Sequence, residues 1–189
     1  FTPVPKEVNA KLRHYQEEGV HWLERLRTMY LNGILADDMG LGKTLQAICA
    51  LTQLMKGAKT PALVVCPTSL LYNWKEECHK FNGKLKSLII DGMPNQRKKL
   101  IKGMKDYNVV ITSYSLLQKD IEAYDKFTFS YMILDEAQHI KNRGTRNAKS
   151  VKMVKAKHRM ILSGTPIENS LDELWSLFDY LMPGFLGTY

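Results

Sequence analysis

Asp37-Asp38-Met39-Gly40-Leu41-Gly42-Lys43-Thr44 sets a glycine-bearing turn between an apolar run, Gly33-Ile34-Leu35-Ala36, and a helix-forming run from Leu45 to Leu51. Gly40 and Gly42 permit backbone angles that aim successive N–H groups at one point, the geometry of an anion cradle. Lys43 adds a point charge suited to outer phosphates. The Thr44 hydroxyl can ligate Mg²⁺, and the helix that follows contributes positive potential at its start. The chemistry expected of Asp38, Met39, Gly40, Leu41, Gly42, Lys43 and Thr44 is therefore the grip on a triphosphate with its Mg²⁺. The first position departs from the general phosphate-loop pattern: Asp37 stands where that pattern has glycine.

A second group of residues fits the same ligand. Asp135-Glu136 directly follows the apolar run Tyr131-Met132-Ile133-Leu134. A carboxylate at that strand end can hold the metal that Thr44 also touches. Its neighbour Glu136 can orient or deprotonate a water attacking the γ-phosphate. Lys43, Asp135 and Glu136 are the candidate catalytic residues, with Thr44 and Asp135 on the metal. His139 lies nearby, but no other His or Cys stands at zinc-ligand spacing, and no Gly-x-Ser-x-Gly turn is present.

The elements that must position these groups can be read from hydrophobic pattern. Apolar runs at Gly33–Ala36, Ala62–Cys66, Leu85–Ile90, Asn108–Ile111, Tyr131–Leu134 and His158–Leu162 read as strands. Between them, Leu45–Leu51, Ser69–Phe81, Gln96–Lys105, a helix beginning at Tyr114, and Thr145–Lys155 read as helices, and Asp172–Leu181 as a last one before Pro183-Gly184. The strand runs are continuous rather than alternating, as expected when both faces of a sheet are covered. Right-handed crossovers then give a mainly parallel sheet between two helical layers, an α/β fold whose ligands bind beyond the carboxyl ends of the strands. Each chemical group above falls at such an end. Residues 1–11, with Pro3 and Pro5, read as an extended lead-in, and 12–189 as one domain.

Composition adds a partner class. The 189 residues carry 27 Lys and Arg against 19 Asp and Glu, a net charge of +8, which favours a polyanion such as nucleic acid. Three cysteines without a Cys-x-x-Cys pair read as free buried thiols. No apolar run is long enough to span a bilayer, so no membrane partner is expected. The basic run Arg97, Lys98, Lys99, Lys102 and Lys105 reads as a solvated helix face, as do Lys149, Lys152, Lys155 and Lys157. Trp22, Trp74 and Trp175 fall at apolar helix positions and read as core.

Taken together, these segments resemble a known family. Asp135-Glu136-Ala137-Gln138 is similar to the Asp-Glu-Ala-Asp/His box of the second helicase superfamily, with Gln138 as a variant. Asp-Asp-Met-Gly-Leu-Gly-Lys-Thr resembles the phosphate loop of its Swi/Snf-type branch, so Asp37 becomes a mark of that branch. Leu162-Ser163-Gly164-Thr165-Pro166-Ile167-Glu168-Asn169 followed by Leu174-Trp175 looks like the branch's third motif. Val65-Cys66-Pro67-Thr68-Ser69-Leu70 with Trp74, Ile111-Thr112-Ser113-Tyr114, and Leu12-Arg13-Tyr15-Gln16 match further segments. The resemblance implies a RecA-like three-layer α/β/α lobe in which Gln16 and Arg13 meet adenine. Ser163 and Thr165 would couple phosphate state to lobe movement. Pro67, Thr68, Thr112 and Ser113 would touch phosphates of double-stranded DNA, and Lys141 and Asn142, with Arg143 and Arg146, would approach the duplex.

The same resemblance implies a second ATPase lobe in the same polypeptide, carrying arginines that complete the site. An arginine finger is worth about 10³ to 10⁵ in rate, so the 189-residue chain by itself is expected to hydrolyse ATP near background. A strand-separating or restriction-type motor and a non-hydrolysing nucleotide-binding domain stay open as alternatives. The protein cargo cannot be read. The Asp-Glu-Ala-Gln wording favours a bacterial, cytoplasmic or nucleoid setting over a nuclear one.

Overall fold

A computed structural model describes residues 33–36, 43–81, 83–140, 144–163, 176 and 179–181. Within it, strands β1 (Gly33–Ala36), β2 (Ala62–Cys66), β3 (Ser87–Ile89), β4 (Val109–Ser113), β5 (Thr128–Leu134) and β6 (Lys155–Ser163) alternate with helices. These are α1 (Lys43–Leu54), α2 (Leu71–Phe81), α3 (Pro94–Lys102), α4 (Tyr114–Asp120) and α5 (Arg146–Met153). The strands form one six-stranded sheet in the order β1-β6-β5-β2-β4-β3, and every neighbouring pair is parallel. All carboxyl ends therefore lie along one edge, where the sequence places its chemical groups.

Successive strand residues feed opposite cores. Ala62, Val64, Cys66, Val109, Ile111, Tyr131, Ile133, Met160 and Leu162 pack with Ala47, Ile48 and Leu51 of α1 and Leu71, Trp74 and Cys78 of α2. Leu63, Val65, Val110, Met132, Leu134 and Ile161 pack on the other side with Ile101 of α3, Leu117 of α4 and Val151 of α5. Helices thus cover both faces, which is why β2 and β4 are buried at every position and their sequences show no polar alternation. The expected three-layer arrangement is present, with a sheet that is parallel throughout.

Boundaries differ from the sequence expectation in instructive ways. A short 3₁₀ turn, Thr68–Leu70, precedes α2, and another, Met104–Asp106, follows α3, so Lys105 lies outside that helix. Helix α5 stops at Met153 because Val154 is already extended (ψ 134°), and Lys155 and Lys157 belong to β6. The two basic runs keep exposed faces at Lys98, Lys99, Lys102, Lys105, Lys149, Lys155 and Lys157, and two members depart from that reading. Arg97 is buried: its Nε and Nη2 donate to the Asp120 carboxylate at 2.8 and 3.0 Å, and Nη1 donates to the Gly92 carbonyl at 2.7 Å. Lys152 pairs with Asp179 at 3.2 Å. Buried Arg159 of β6 donates to the carbonyls of Tyr180 at 2.9 Å and Val154 at 2.5 Å, fastening the segment around 179–181 to the sheet.

Cys49, Cys66 and Cys78 are free and buried. Burial raises each thiol from 9.0 to about 12, helped at Cys66 by the Asp135 charge and at Cys78 by Glu77. At pH 8, about one thiol in ten would be ionised in an unfolded chain and about one in ten thousand here. Alkylation by iodoacetamide at pH 8 should therefore be slow until denaturant is added. The folded state holds these protons above the unfolded pKa, so the thiols' stabilising contribution is complete below pH 9 and declines as pH rises from 9 toward 12. Denaturant midpoints measured across that window should fall. Midpoints that hold steady would show the thiols to be solvated.

No described helix is long and apolar enough to cross a membrane.

Candidate nucleotide site at the carboxyl edge of the sheet

The carboxyl edge gathers the predicted site from separate strands. β1 ends at Ala36, and α1 opens at Lys43-Thr44, so a helix start faces that edge; Thr44 is partly exposed there. Ser163, the last residue of β6, is the register partner of Ala36 and so adjoins the start of the phosphate loop. β6 also pairs with β5, Ile161 opposite Leu134, which places Asp135 beyond the neighbouring strand end. On the other side of β5, Val65 pairs with Leu134. The loop positions Asp38, Met39, Gly40, Leu41 and Gly42 lie outside the described residues, as do Arg13, Gln16, Lys141, Asn142 and Thr165.

Asp135 is held with unusual completeness. Its N–H donates to the Val65 carbonyl at 2.8 Å, extending the sheet ladder by one bond. Its carbonyl accepts from the Tyr114 hydroxyl at 2.7 Å. Its Oδ2 accepts from the Trp74 indole at 2.8 Å, and its Oδ1 from the Glu136 N–H at 2.9 Å. Trp74 is core, as its helix spacing suggests, and it is also the carboxylate's partner, which spacing does not reveal. Burial and the neighbouring Asp135 push the Tyr114 hydroxyl well above its ordinary pKa, so it remains a donor.

Glu136 adopts a left-handed backbone, φ 53°, uncommon for a residue with a Cβ. Its carboxylate Oε2 accepts from the Gln138 amide at 2.9 Å, and its carbonyl from the His139 N–H at 3.2 Å. Backbone strain at a strand end beside an acidic pair is a feature that functional sites concentrate. Gln138, a variant position by sequence, is thus the group that orients the candidate base. His139 stacks on the Tyr114 ring at 4.8 Å.

The residues present suit Mg²⁺. They offer hard oxygen donors, and such a metal is usually held through one or two carboxylates plus substrate phosphates. Among the described residues no group of three or more His, Cys, Asp or Glu forms a metal cage of its own.

The candidate DNA residues separate. Pro67 and Thr68 follow β2, and Thr68 is exposed. Thr112 is fully buried, and its hydroxyl donates to the Ile90 carbonyl at 3.3 Å, so that hydroxyl faces the sheet interior rather than a duplex. Ser113 is also buried and caps α4, its Oγ accepting from the Leu116 N–H at 3.2 Å. Exposed Ser115, 3.3 Å from the Ser113 hydroxyl, presents its side chain to solvent there. Arg146 is exposed in the first turn of α5.

A parallel α/β lobe in which a helix opening at Lys43-Thr44 and an acidic strand end share the carboxyl edge of the sheet is the architecture of the helicase-like ATPase cores. Residues 15–189 match the SNF2-related domain family, and the chain belongs to it. It is 46% identical over 200 residues to human TATA-binding protein-associated factor 172, covering 98% of this chain and 11% of that protein. An uncharacterised ATP-dependent helicase of Mycoplasma genitalium is 41% identical over 179 residues, covering 94% of this chain and 17% of that one. Among solved structures, the Sulfolobus solfataricus SWI2/SNF2 ATPase core in complex with dsDNA superposes with a TM-score of 0.90 at 41% identity, over 100% of this chain and 40% of that core. The chain thus spans a small fraction of these curated relatives and less than half of that ATPase core.

Proposed function

We propose that this chain is the first motor lobe of an ATP-dependent double-stranded DNA translocase of the Swi/Snf type. The observation that carries the proposal is the single sheet edge shared by the α1 start, Lys43-Thr44, the rigidly held Asp135 and the strained Glu136. Lys43 would bind the outer phosphates, while Thr44 and Asp135 would hold Mg²⁺, which supplies charge neutralisation on the β- and γ-phosphates. Glu136, oriented by Gln138, would align the attacking water. Ser163, beside the phosphate loop, would sense phosphate state together with Thr165. A neighbour solved with dsDNA supports the nucleic-acid partner, and exposed Thr68 and Arg146 are the described residues that would meet its backbone. A second lobe would supply the arginines that make hydrolysis fast. The compartment, nucleoid or nucleus, follows the organism.

The test uses the intact polypeptide that carries this lobe. Duplex DNA should stimulate ATP hydrolysis, Lys43→Ala should remove it, and a strand-displacement assay should show no unwinding. Efficient strand separation would move the protein to the unwinding-helicase reading, and unchanged hydrolysis in Lys43→Ala would end the assignment of the site. Duplex affinity should fall with salt at a log–log slope near −0.9 per phosphate contacted, about −2 or steeper if several contacts form. A flat response would exclude phosphate contact.

A further inference from the structure

We propose that Trp74 and Tyr114 are positioning residues that fix Asp135 as a metal-binding carboxylate; the inference rests on the reading of Asp135 as a Mg²⁺ ligand. The Trp74 indole donates to the carboxylate Oδ2 at 2.8 Å, and the Tyr114 hydroxyl to the same residue's carbonyl at 2.7 Å. All three residues are buried, Trp74 at 0%, Tyr114 at 3% and Asp135 at 5% exposure. The two donors come from opposite sides of the sheet. Trp74 belongs to α2 and the hydrophobic cluster on one face; Tyr114 belongs to α4 and the cluster on the other. The strand end is therefore clamped through both layers.

The geometry suits metal binding rather than mere burial. An ionised carboxylate has about four lone-pair sites. The indole takes one on Oδ2 and the Glu136 N–H one on Oδ1, so the two oxygens are each held by a donor from a different direction and the plane of the carboxylate is set. Trp74, locked in a packed cluster, cannot follow the carboxylate if it rotates, and Tyr114, its ring stacked on His139, holds the backbone carbonyl of the same residue in place. Hydrogen-bond partners of ligating side chains orient them, and losing one typically costs about 10- to 100-fold in metal affinity or activity. Residues that only filled the core would carry no such dependence on metal.

The experiment measures binding of an N-methylanthraniloyl-labelled ATP to the intact polypeptide while Mg²⁺ is titrated. Trp74→Phe should raise the Mg²⁺ concentration at half-saturation about tenfold or more, with affinity for the metal-free nucleotide within about twofold of the parent. Tyr114→Phe should shift it in the same direction, by less. Cys78→Ala, which opens space in the same cluster one helical turn along α2 from Trp74, should leave the Mg²⁺ midpoint in place. If Trp74→Phe fails to fold, 3-benzothienylalanine at position 74 keeps the ring shape, lacks the N–H donor and should show the same shift. A parental midpoint in either Trp74 replacement, or an equal shift in Cys78→Ala, overturns the positioning role. Asp135→Asn separates the two readings. If it leaves the Mg²⁺ dependence unchanged, the assignment of Asp135 itself falls. If it abolishes that dependence while Trp74→Phe is parental, only the positioning role falls.

Discussion

Glu136→Gln in the intact polypeptide should lower DNA-stimulated ATP turnover about 10²- to 10⁴-fold while nucleotide binding stays near the parental value. The substitution keeps length and shape, so the left-handed backbone at φ 53° and the surrounding packing persist. It removes the basic oxygen that accepts from the Gln138 amide at 2.9 Å, and with it the group able to orient and deprotonate water. The loss should fall on kcat, because an interaction with the attacking water is realised in the transition state rather than in the bound complex. Single-turnover hydrolysis with parallel binding titrations separates the two. Near-normal turnover would assign water activation to another group, and a matching loss of binding would mean that Glu136 organises the loop instead.

The largest stability effect is expected away from the site. Asp120→Ala strands the Arg97 guanidinium, whose side chain is 7% exposed and whose Nε and Nη2 both point at that carboxylate. Breaking a buried ion pair on one side typically costs about 3–5 kcal/mol. For a domain of this length that corresponds to a midpoint lower by roughly 6–20 °C. Thermal unfolding of the chain measures it. The paired replacement Arg97→Met with Asp120→Leu should be far less harmful than Asp120→Ala alone, since it removes both charges and keeps bulk in the slot. Equal losses in the two variants would show that packing rather than charge accounts for the cost.

Sheet and layers were legible because their cause is local. Burial on both faces forces runs such as Ala62–Cys66 and Val109–Ile111 to be apolar throughout, and the crossover rule then restricts the topology. The start of β6 was misread as helix for a related reason. Within the described residues, β1 pairs with Met160–Ser163, while Lys155–Arg159 have β5 beside them, so lysines there can stay wet. Lys155 and Lys157 alternate with Ala156 and His158, a period of two that was available in the sequence. Arg97 carried a similar signal. It lies four residues before buried Ile101 on α3, a spacing that puts both on the inner face, but charge-based reading overrode periodicity.

The acidic pair was legible as a motif, and its support was not. Trp74 lies 61 residues from Asp135 and Tyr114 lies 21 residues away, so no local pattern connects them to it. The candidate DNA hydroxyls show the converse problem. Thr112 and Ser113 have suitable chemistry at a suitable strand end, but β4 side chains alternate into two packed layers and no hydroxyl there remains outside. Motif position names the segment; the pleat decides which of its side chains are buried.

The strand order carries a consequence for how the polypeptide is made. Of the described strands β1 is the first to leave the ribosome, yet its partner among them is β6, with Gly33 opposite Met160. During synthesis the segment leading into the phosphate loop must wait for this partner while β2 to β5 and their helices emerge. Closing so long a loop is entropically late, and chains dominated by such distant pairings fold slowly. Nucleotide capture should consequently begin only after β6 has emerged. A nascent chain stalled before Met160 would hold a nearly finished sheet and no grip on ATP.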